Sequence, residues 1–377
     1  MARYAHITGW GMSVPSRILT NEELARTVDT TSEWIVERTG IRERRVASPQ
    51  QTTASLATDA ALKALAAAGL SPRQVQLIIV ATSSPEHIFP ATACLVQDRI
   101  GASSAGAFDL SAACTGFVYA LSVASQMIQT GAYENALVIG SETLSRIVNW
   151  KDRSTCVLFG DGAGALVLQS SSRPGGVLAF SMHSDGSGGD LLSLPAGGSR
   201  LPATHETIDQ GLHFVSMNGR EVYRFATRVM ATATREVLAK AGYVLAEVDL
   251  IIPHQANQRI IEAAAKQLRF PMDRFFVNVE RYGNTSTASI PIAICEAFAA
   301  GRLHVGDRVV LVGFGAGLTW GAALLQWVAR APVPAARWRL SGLFIFRAMA
   351  WLRSVLRRLS RRIEAFFLGE RGDTGRP

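Results

Sequence analysis

Charge is scarce in this sequence. Only 18% of the residues are Asp, Glu, Lys or Arg, against 48% hydrophobic, which excludes a disordered or fibrous chain and leaves a large globular protein with a sizeable core. Cysteine is scarce too: Cys94, Cys114, Cys156 and Cys295 form no CxxC pair, which argues against a structural zinc site and against a disulfide scaffold. A reducing cytosol is the expected compartment. No window reaches about 18 uncharged apolar residues, so no transmembrane helix is expected. The first dozen residues run into polar sequence without the apolar core of a signal peptide, and none is expected. A basic stripe is also missing from most of the chain. The net charge is +8, but residues 331–377 hold ten arginines against Glu364, Glu370 and Asp373, a balance of +7, which leaves about +1 for the first 330 residues. With aromatics at 8%, nucleic-acid binding by the body is not expected.

What is present is a repeat. Residues 65–80 (LAAAGLSPRQVQLIIV) laid over 238–253 (LAKAGYVLAEVDLIIP) give eight identities in sixteen ungapped positions, and the same offset of 173 puts the apolar run Leu137 to Gly140 over Val310 to Gly313. Two duplicated α/β halves follow from this. Apolar runs at 77–82, 136–140 and 165–169 in the first half, and at 248–252, 307–313 and 321–328 in the second, read as strands buried on both faces. Their alternation with helices makes them mostly parallel and predicts a layered α/β/α/β/α body. The expected organisation is a half over 1–170, connecting or pocket loops rich in Ser, Gly and Pro over 171–212, a second half over 213–330 and an extension over 331–377. Ligands gather beyond the carboxyl ends of such strands.

Three segments there carry chemistry. Cys114 lies in DLSAACTGFVYAL, where small residues turn into an amphipathic helix. The helix N-terminus biases a thiol toward thiolate, although a lone cysteine is as well explained by burial. His254, in PHQAN, follows a strand and could donate a hydrogen bond to a thioester carbonyl or exchange a proton with a thiol, or serve only structure. Asn284, in YGNTSTAS, suits an N-cap or Asx-turn, and equally a second amide donor facing the same carbonyl as His254. The offset sets Thr287 over Cys114. The run GFGAGLTWG after residue 312 lacks the helix and the downstream acid of a dinucleotide site, and better suits backbone packing against a reacting thioester.

Together with TTSEWIVERTGIRER after Asp29 and FGDGAG from Phe159, these motifs resemble the β-ketoacyl-acyl-carrier-protein synthase III family of the thiolase superfamily, over about residues 3 to 328. The resemblance implies a thiolase-like five-layered α/β/α/β/α fold. It also implies an acyltransferase in which Cys114 takes an acyl group from acyl-CoA. His254 and Asn284 then hold a malonyl-carrier thioester through decarboxylation, and the backbone amides of Cys114 and Gly315 form an oxyanion hole. Trp34 and Arg153 would sandwich the CoA adenine and Arg38 would meet its phosphates. Gly219, Asn257 and Phe159 would line the substrate path, and Arg259 would dock the acyl carrier protein. Phe89 would cap the acyl pocket of the partner in a homodimer. No metal or redox cofactor is implied. Ala316 and Trp150-Lys-Asp-Arg depart from the family's pattern. Primer identity, and a secondary-metabolite condensing enzyme or plain acyltransferase on the same fold, therefore stay open, with a non-catalytic scaffold as the third class.

The extension is the largest departure. At 100° per residue, Ile345, Ala348, Met349, Leu352, Val355, Leu356, Leu359, Ile363, Phe366 and Phe367 fall on one side, and Arg347, Arg353, Arg357, Arg358, Arg361 and Arg362 on the other. This predicts a basic amphipathic helix, plus peripheral attachment to an anionic membrane, packing on its own body or a partner helix through 343–368, or a basic arm for acidic partners.

Overall fold

The computed structural model describes residues 2–328 and 340–369, with side chains of the last helix described over 348–363. The boundary expected between 330 and 331 lies outside the described residues. So do the side chains of Ile345, Arg347, Phe366 and Phe367.

The first half holds strands β1 (Tyr4–Ser13), β2 (Leu77–Ala81), β3 (Gly106–Leu110), β4 (Asn135–Glu142) and β5 (Gly162–Ser171), in the order β1-β5-β4-β2-β3. The second sheet is β7-β8-β9-β6, from β6 (Gly176–Ser184), β7 (Leu250–Pro253), β8 (Arg308–Gly315) and β9 (Thr319–Gln326). The expectation of mostly parallel strands is corrected. β2 runs parallel to β3 and β4, and β7 parallel to β8, but the β1–β5, β4–β5, β8–β9 and β9–β6 pairs are antiparallel. Only a three-residue turn separates β8 from β9, too short for the crossover that a parallel neighbour needs.

The helices are α1 (Ser32–Thr39), α2 (Thr53–Ala68), α3 (Thr92–Ile100), α4 (Gly116–Gln129), α5 (Gly219–Ala241), α6 (Gln258–Leu268), α7 (Ser289–Ala299) and α8 (Leu340–Gly369). α4 (GFVYALSVASQMIQ) and α7 (SIPIAICEAFA) are apolar on almost every side, so they occupy the middle layer, and both touch both sheets. α2 and α3 pack on the other face of the first sheet, and α5 and α6 on that of the second. This gives five layers.

The duplication is in register. Ile78 pairs with Leu137 and Val80 with Ile139; shifting both members by 173 gives Ile251 with Val310 and Pro253 with Val312, which also pair. The helices that precede these strands end on Gly69 and Gly242, the same position in each half, both in the left-handed region that glycine adopts without strain.

Three strands of the two main sheets, β1, β3 and β6, lie outside the expected apolar runs, β3 (GAFDL) because Asp109 interrupts it to accept the Thr92 and Ala93 N–H groups. β1 (YAHITGWGMS) contains Gly9 and Gly11, where a Cβ would lie 2.3 and 2.6 Å from backbone carbonyls of α2. Close packing against the helix demands small residues there, and the hydrophobic run is lost. β6 lies inside 171–212, whose composition reads as connection, yet it pairs along its whole length with β9. It does not show the usual polarity of an edge strand, since Ser181 is 1% exposed and Met182 39%.

Candidate active site

Cys114 sits in the one-turn helix Ala113–Thr115 between β3 and α4. β8 presses against this turn: a Cβ on Gly315 would stand 2.6 Å from the Cys114 backbone nitrogen and 3.2 Å from its Cβ. Only glycine allows that approach, which sets the two backbones side by side. Asn284 and Phe159 come from two loop segments that bridge each other. The Asn284 N–H donates to Leu158 O at 2.8 Å, and the Gly160 N–H donates to Asn284 O at 3.0 Å. The Asn284 Oδ1 accepts the Ser286 N–H at 2.9 Å. The Asx-turn reading and the amide-donor reading thus describe the same geometry, since fixing Oδ1 turns the NH₂ toward the remaining space. His254 follows β7 directly. Pro253 is the last paired residue of β7, and the His254 N–H donates to Val312 O at 2.8 Å as the chain leaves the strand.

Cys114, His254, Asn284, Gly315, Phe159, Gly219 and Asn257 all line one cavity, closed further by Leu158, Leu192, Met217, Val222, Tyr223 and Phe314. A second, mostly apolar cavity shares Cys114, Phe159 and Leu192 and is otherwise walled by residues including Leu144, Ile147, Leu194, Val215, Ala113 and Ala316. Ala316 therefore lines this second space.

Electrostatics here are governed by exclusion of water. Burial pushes the His254 imidazole down to about 3, so the ring is neutral at physiological pH. Neither ring nitrogen has a hydrogen-bond partner among the described residues, and His254 is 1% exposed. An unpaired buried polar group costs about 1–3 kcal/mol. Its ring stands edge-on to that of Phe314, with centroids 5.3 Å apart. The bias of Cys114 toward thiolate, expected from the helix N-terminus, is corrected. Burial pushes the thiol up to about 12, Glu142 adds to this through its charge, and the Ser286 hydroxyl only partly offsets it.

Glu142 escaped the reading of the sequence although it stands two residues after the apolar run 136–140, where ligand-side residues were to be sought. Fully buried, it accepts from the Ser83 N–H at 3.0 Å, the Ser84 hydroxyl at 2.5 Å and the Thr287 hydroxyl at 2.9 Å. Burial holds its carboxyl above the usual range. It thereby ties the turn of Ser286–Ala288 to the end of β4. Thr287 occupies the place of Cys114 in the other half: it lies against Gly140 as Cys114 lies against Gly313.

The remaining predicted residues lie off the cavity. Trp34 and Arg153 face each other with the guanidinium 5.0 Å from the ring centroid, in direct contact rather than spaced around a gap. Arg38 is exposed, and its carbonyl accepts the Asn257 side-chain amide at 3.0 Å, which joins α1 to the cavity wall. Arg259 is exposed beside Asn257, its guanidinium 5.7 Å from the ring centroid of Tyr223. Phe89 is 85% exposed, next to Ile88 at 83%.

Comparison with known proteins identifies the family. Residues 108–186 match the family model of 3-oxoacyl-(acyl-carrier-protein) synthase III, and 238–327 match the model of its C-terminal part. The beta-ketoacyl-(acyl-carrier-protein) synthase III of Symbiobacterium thermophilum is 56% identical over 321 residues, 85% of this chain and 97% of the relative. That of Roseiflexus castenholzii is 53% identical over 329 residues, 87% of this chain and all of the relative. The solved 3-oxoacyl-(acyl-carrier-protein) synthase III of Aquifex aeolicus superposes with a TM-score of 0.80 at 48% identity, covering 86% of this chain and 100% of that one. A priming β-ketosynthase of the R1128 polyketide pathway gives 0.81 at 34%, covering 88% and 98%. The C-terminal family model ends at residue 327, so the extension lies beyond it. The chain belongs to the β-ketoacyl-acyl-carrier-protein synthase III family.

Proposed function

We propose that this protein starts fatty-acid chains by condensing an acyl-CoA primer with a malonyl-carrier thioester, with Cys114 as nucleophile. The observation that carries the reading is the buried, partnerless, neutral His254 in the same cavity as a buried thiol and the Asn284 amide. Such a set is costly for folding and suits a ligand carbonyl.

In the first half-reaction the Cys114 sulfur attacks the acyl-CoA carbonyl. The carbon–sulfur bond to CoA breaks, and CoA leaves as the thiol, carrying the proton that Cys114 gives up. In the apo site water is excluded and the thiol is held protonated, so its proton must move as the sulfur attacks. Neutral His254 is the base lining the cavity that can relay it. In the second half-reaction the malonyl carboxylate leaves as carbon dioxide, and its bonding electrons form an enolate. A ring N–H of His254 and the Asn284 amide donate to that enolate oxygen. The enolate carbon attacks the Cys114 thioester, the tetrahedral oxyanion faces the Cys114 and Gly315 amides, and collapse frees the Cys114 thiolate, which takes up a proton. Donors fixed in a dry cavity need no reorganisation as the charge develops, which is why they lower the barrier. These steps call on no metal or redox group.

Trp34 and Arg153 would part to admit the adenine, with Arg38 on the phosphates and Arg259 meeting the acidic carrier. The apolar cavity walled by Leu144, Ile147, Leu194 and Val215 would hold the acyl chain. Phe89 and Ile88 are exposed far beyond what solvent favours for such side chains, and a homodimer in which Phe89 caps the partner's acyl cavity would bury them. The expected compartment is the cytoplasm. Ala316 in the acyl cavity and the likeness to a polyketide priming synthase favour a second reading, in which the primer is one used in secondary metabolism.

Intact-mass spectrometry after incubation with acetyl-, longer acyl- and aromatic acyl-CoA, with Cys114→Ala alongside, tests this. A Cys114-dependent adduct is expected, followed by carbon dioxide release from malonyl-carrier, and the preferred acyl group separates the two readings. No adduct with any primer would favour a non-catalytic scaffold.

A further inference from the structure

We propose that the C-terminal helix α8 is an anchor for an anionic lipid surface, fixed to the body by its polar seam so that its apolar stripe faces away. The body takes hold of one side of this helix. Ala350 and Ser354 are 5% and 7% exposed against the end of α3. The Ser354 hydroxyl donates to Asp98 Oδ2 at 2.7 Å, the Arg353 guanidinium donates to Gly101 O at 3.2 Å, and Arg358 stands 3.8 Å from Asp98. At 100° per residue, Ala350 and Ser354 project about 180° away from Leu352, Leu356 and Leu359. Those three leucines are 52–56% exposed, with Met349 and Ile363 at 49% and 48%. A helix that used its apolar face to bind its own body would bury these residues and expose Ser354. The structure has the opposite: α8 does pack on its own body, one of the readings the sequence offered, but through its polar seam rather than its apolar stripe.

Charge selects the occupant. Arg357, Arg358, Arg361 and Arg362 are all exposed, and Trp351, 67% exposed, lies with Arg358 and Arg362 along one border of the stripe. Apolar residues bordered by tryptophan and backed by arginines match the boundary between acyl chains and acidic headgroups. A second copy seated on the stripe would bring its own Arg358 and Arg362 near these two at the border, with like-charge repulsion. Among the described residues no helix is long and apolar enough to cross a membrane, so α8 lies on the surface rather than spanning it. This inference does not depend on the condensing-enzyme reading, because Asp98 and Gly101, which hold α8, line neither of the cavities at Cys114.

The test is co-sedimentation of the full chain with phosphatidylcholine vesicles, with and without about one-third phosphatidylglycerol. Binding at least about tenfold tighter to the anionic vesicles, weakened by salt, is expected. A variant carrying Leu352→Asp, Leu356→Asp and Leu359→Asp should lose it while forming the same acyl adduct as wild type. A second variant, with Arg357→Gln, Arg361→Gln and Arg362→Gln, keeps the stripe and should lose the anionic preference. Absence of binding by wild type, or equal binding by the leucine variant, overturns the proposal. So does a larger assembly that the leucine variant dissociates without any vesicle binding, since a second copy would then cover the stripe. Adduct formation is read separately, so failure of the anchor and failure of the condensing reading are distinguishable.

Discussion

Ala113 and Ser286 are one position written twice: 173 residues apart, each opens the one-turn helix that precedes a middle-layer helix, and each holds a left-handed backbone, at φ 45° and 47°. Both turns reach across to the opposite half, where Cys114 meets Gly313 and Gly315, and Thr287 meets Gly140. An L-residue in this region costs about 1–2 kcal/mol. The duplicated fold retains that cost in both halves, and of the two turns only the first carries a thiol, Cys114 where the second has Thr287.

Ala113→Gly relieves this strain. Chemical denaturation is expected to show stabilisation of up to about 1 kcal/mol, with turnover unchanged or lower because the nucleophile turn is less firmly fixed. Destabilisation by more than about 1 kcal/mol would mean that the Ala113 methyl, not the backbone, determines the fit.

Gly315→Ala places a methyl 2.6 Å from the Cys114 nitrogen, so the turn or β8 must shift. Overpacking of this kind costs about 1–3 kcal/mol. Loss of one oxyanion donor costs about 10²-fold or more in turnover. Steady-state kinetics with near wild-type turnover would remove Gly315 from the oxyanion role.

Asn284→Ala and His254→Ala separate the two half-reactions. Carbon dioxide release from malonyl-carrier is expected to fall by about 10²-fold or more. Acylation of Cys114 by acyl-CoA should fall far less in Asn284→Ala, whose amide has no part in it. Equal losses in both half-reactions for Asn284→Ala would assign the residue to holding the Ser286 turn through its 2.9 Å bond.

The acid limb of stability carries a signature of His254. Its folded value is depressed, from 6.5 to about 3, so the unfolded chain takes up a proton that the native state refuses. The contribution is therefore fully present above pH 6.5 and is lost as pH falls toward about 3. Denaturation midpoints of wild type should drop more steeply over that window than those of His254→Gln, by on the order of a few kcal/mol at its lower end. Parallel curves for the two proteins would show that the imidazole is accessible to protons in the native state.

Much of the architecture was legible in one dimension. Side-chain periodicity and length decide whether a segment is a buried strand or an all-apolar helix, and the 173-residue repeat made the two halves visible before any contact was known. The motifs around Cys114, His254 and Asn284 were legible as well, because turns of small and polar residues after apolar runs mark the functional edge of such sheets. Strand direction was not, since it depends on how the chain returns rather than on what a segment contains. Nor was the strand within 171–212, where a buried Ser181 and an exposed Met182 invert the usual polarity.

Tertiary structure alone decided the rest, for the same reason in each case: burial and proximity are properties of neighbours distant in sequence. The helix N-terminus at Cys114 is written locally and favours the thiolate. The desolvation that overrules it, and the charge of Glu142 that adds to it, arise only when two halves close over the site. His254 is an ordinary histidine until packing leaves its ring without a partner. The amphipathicity of residues 343–368 is plain from their spacing, but which side faces the body was settled by Asp98 and Gly101, some 250 positions away, whose oxygens select Ser354 and Arg353 and leave the leucines outside.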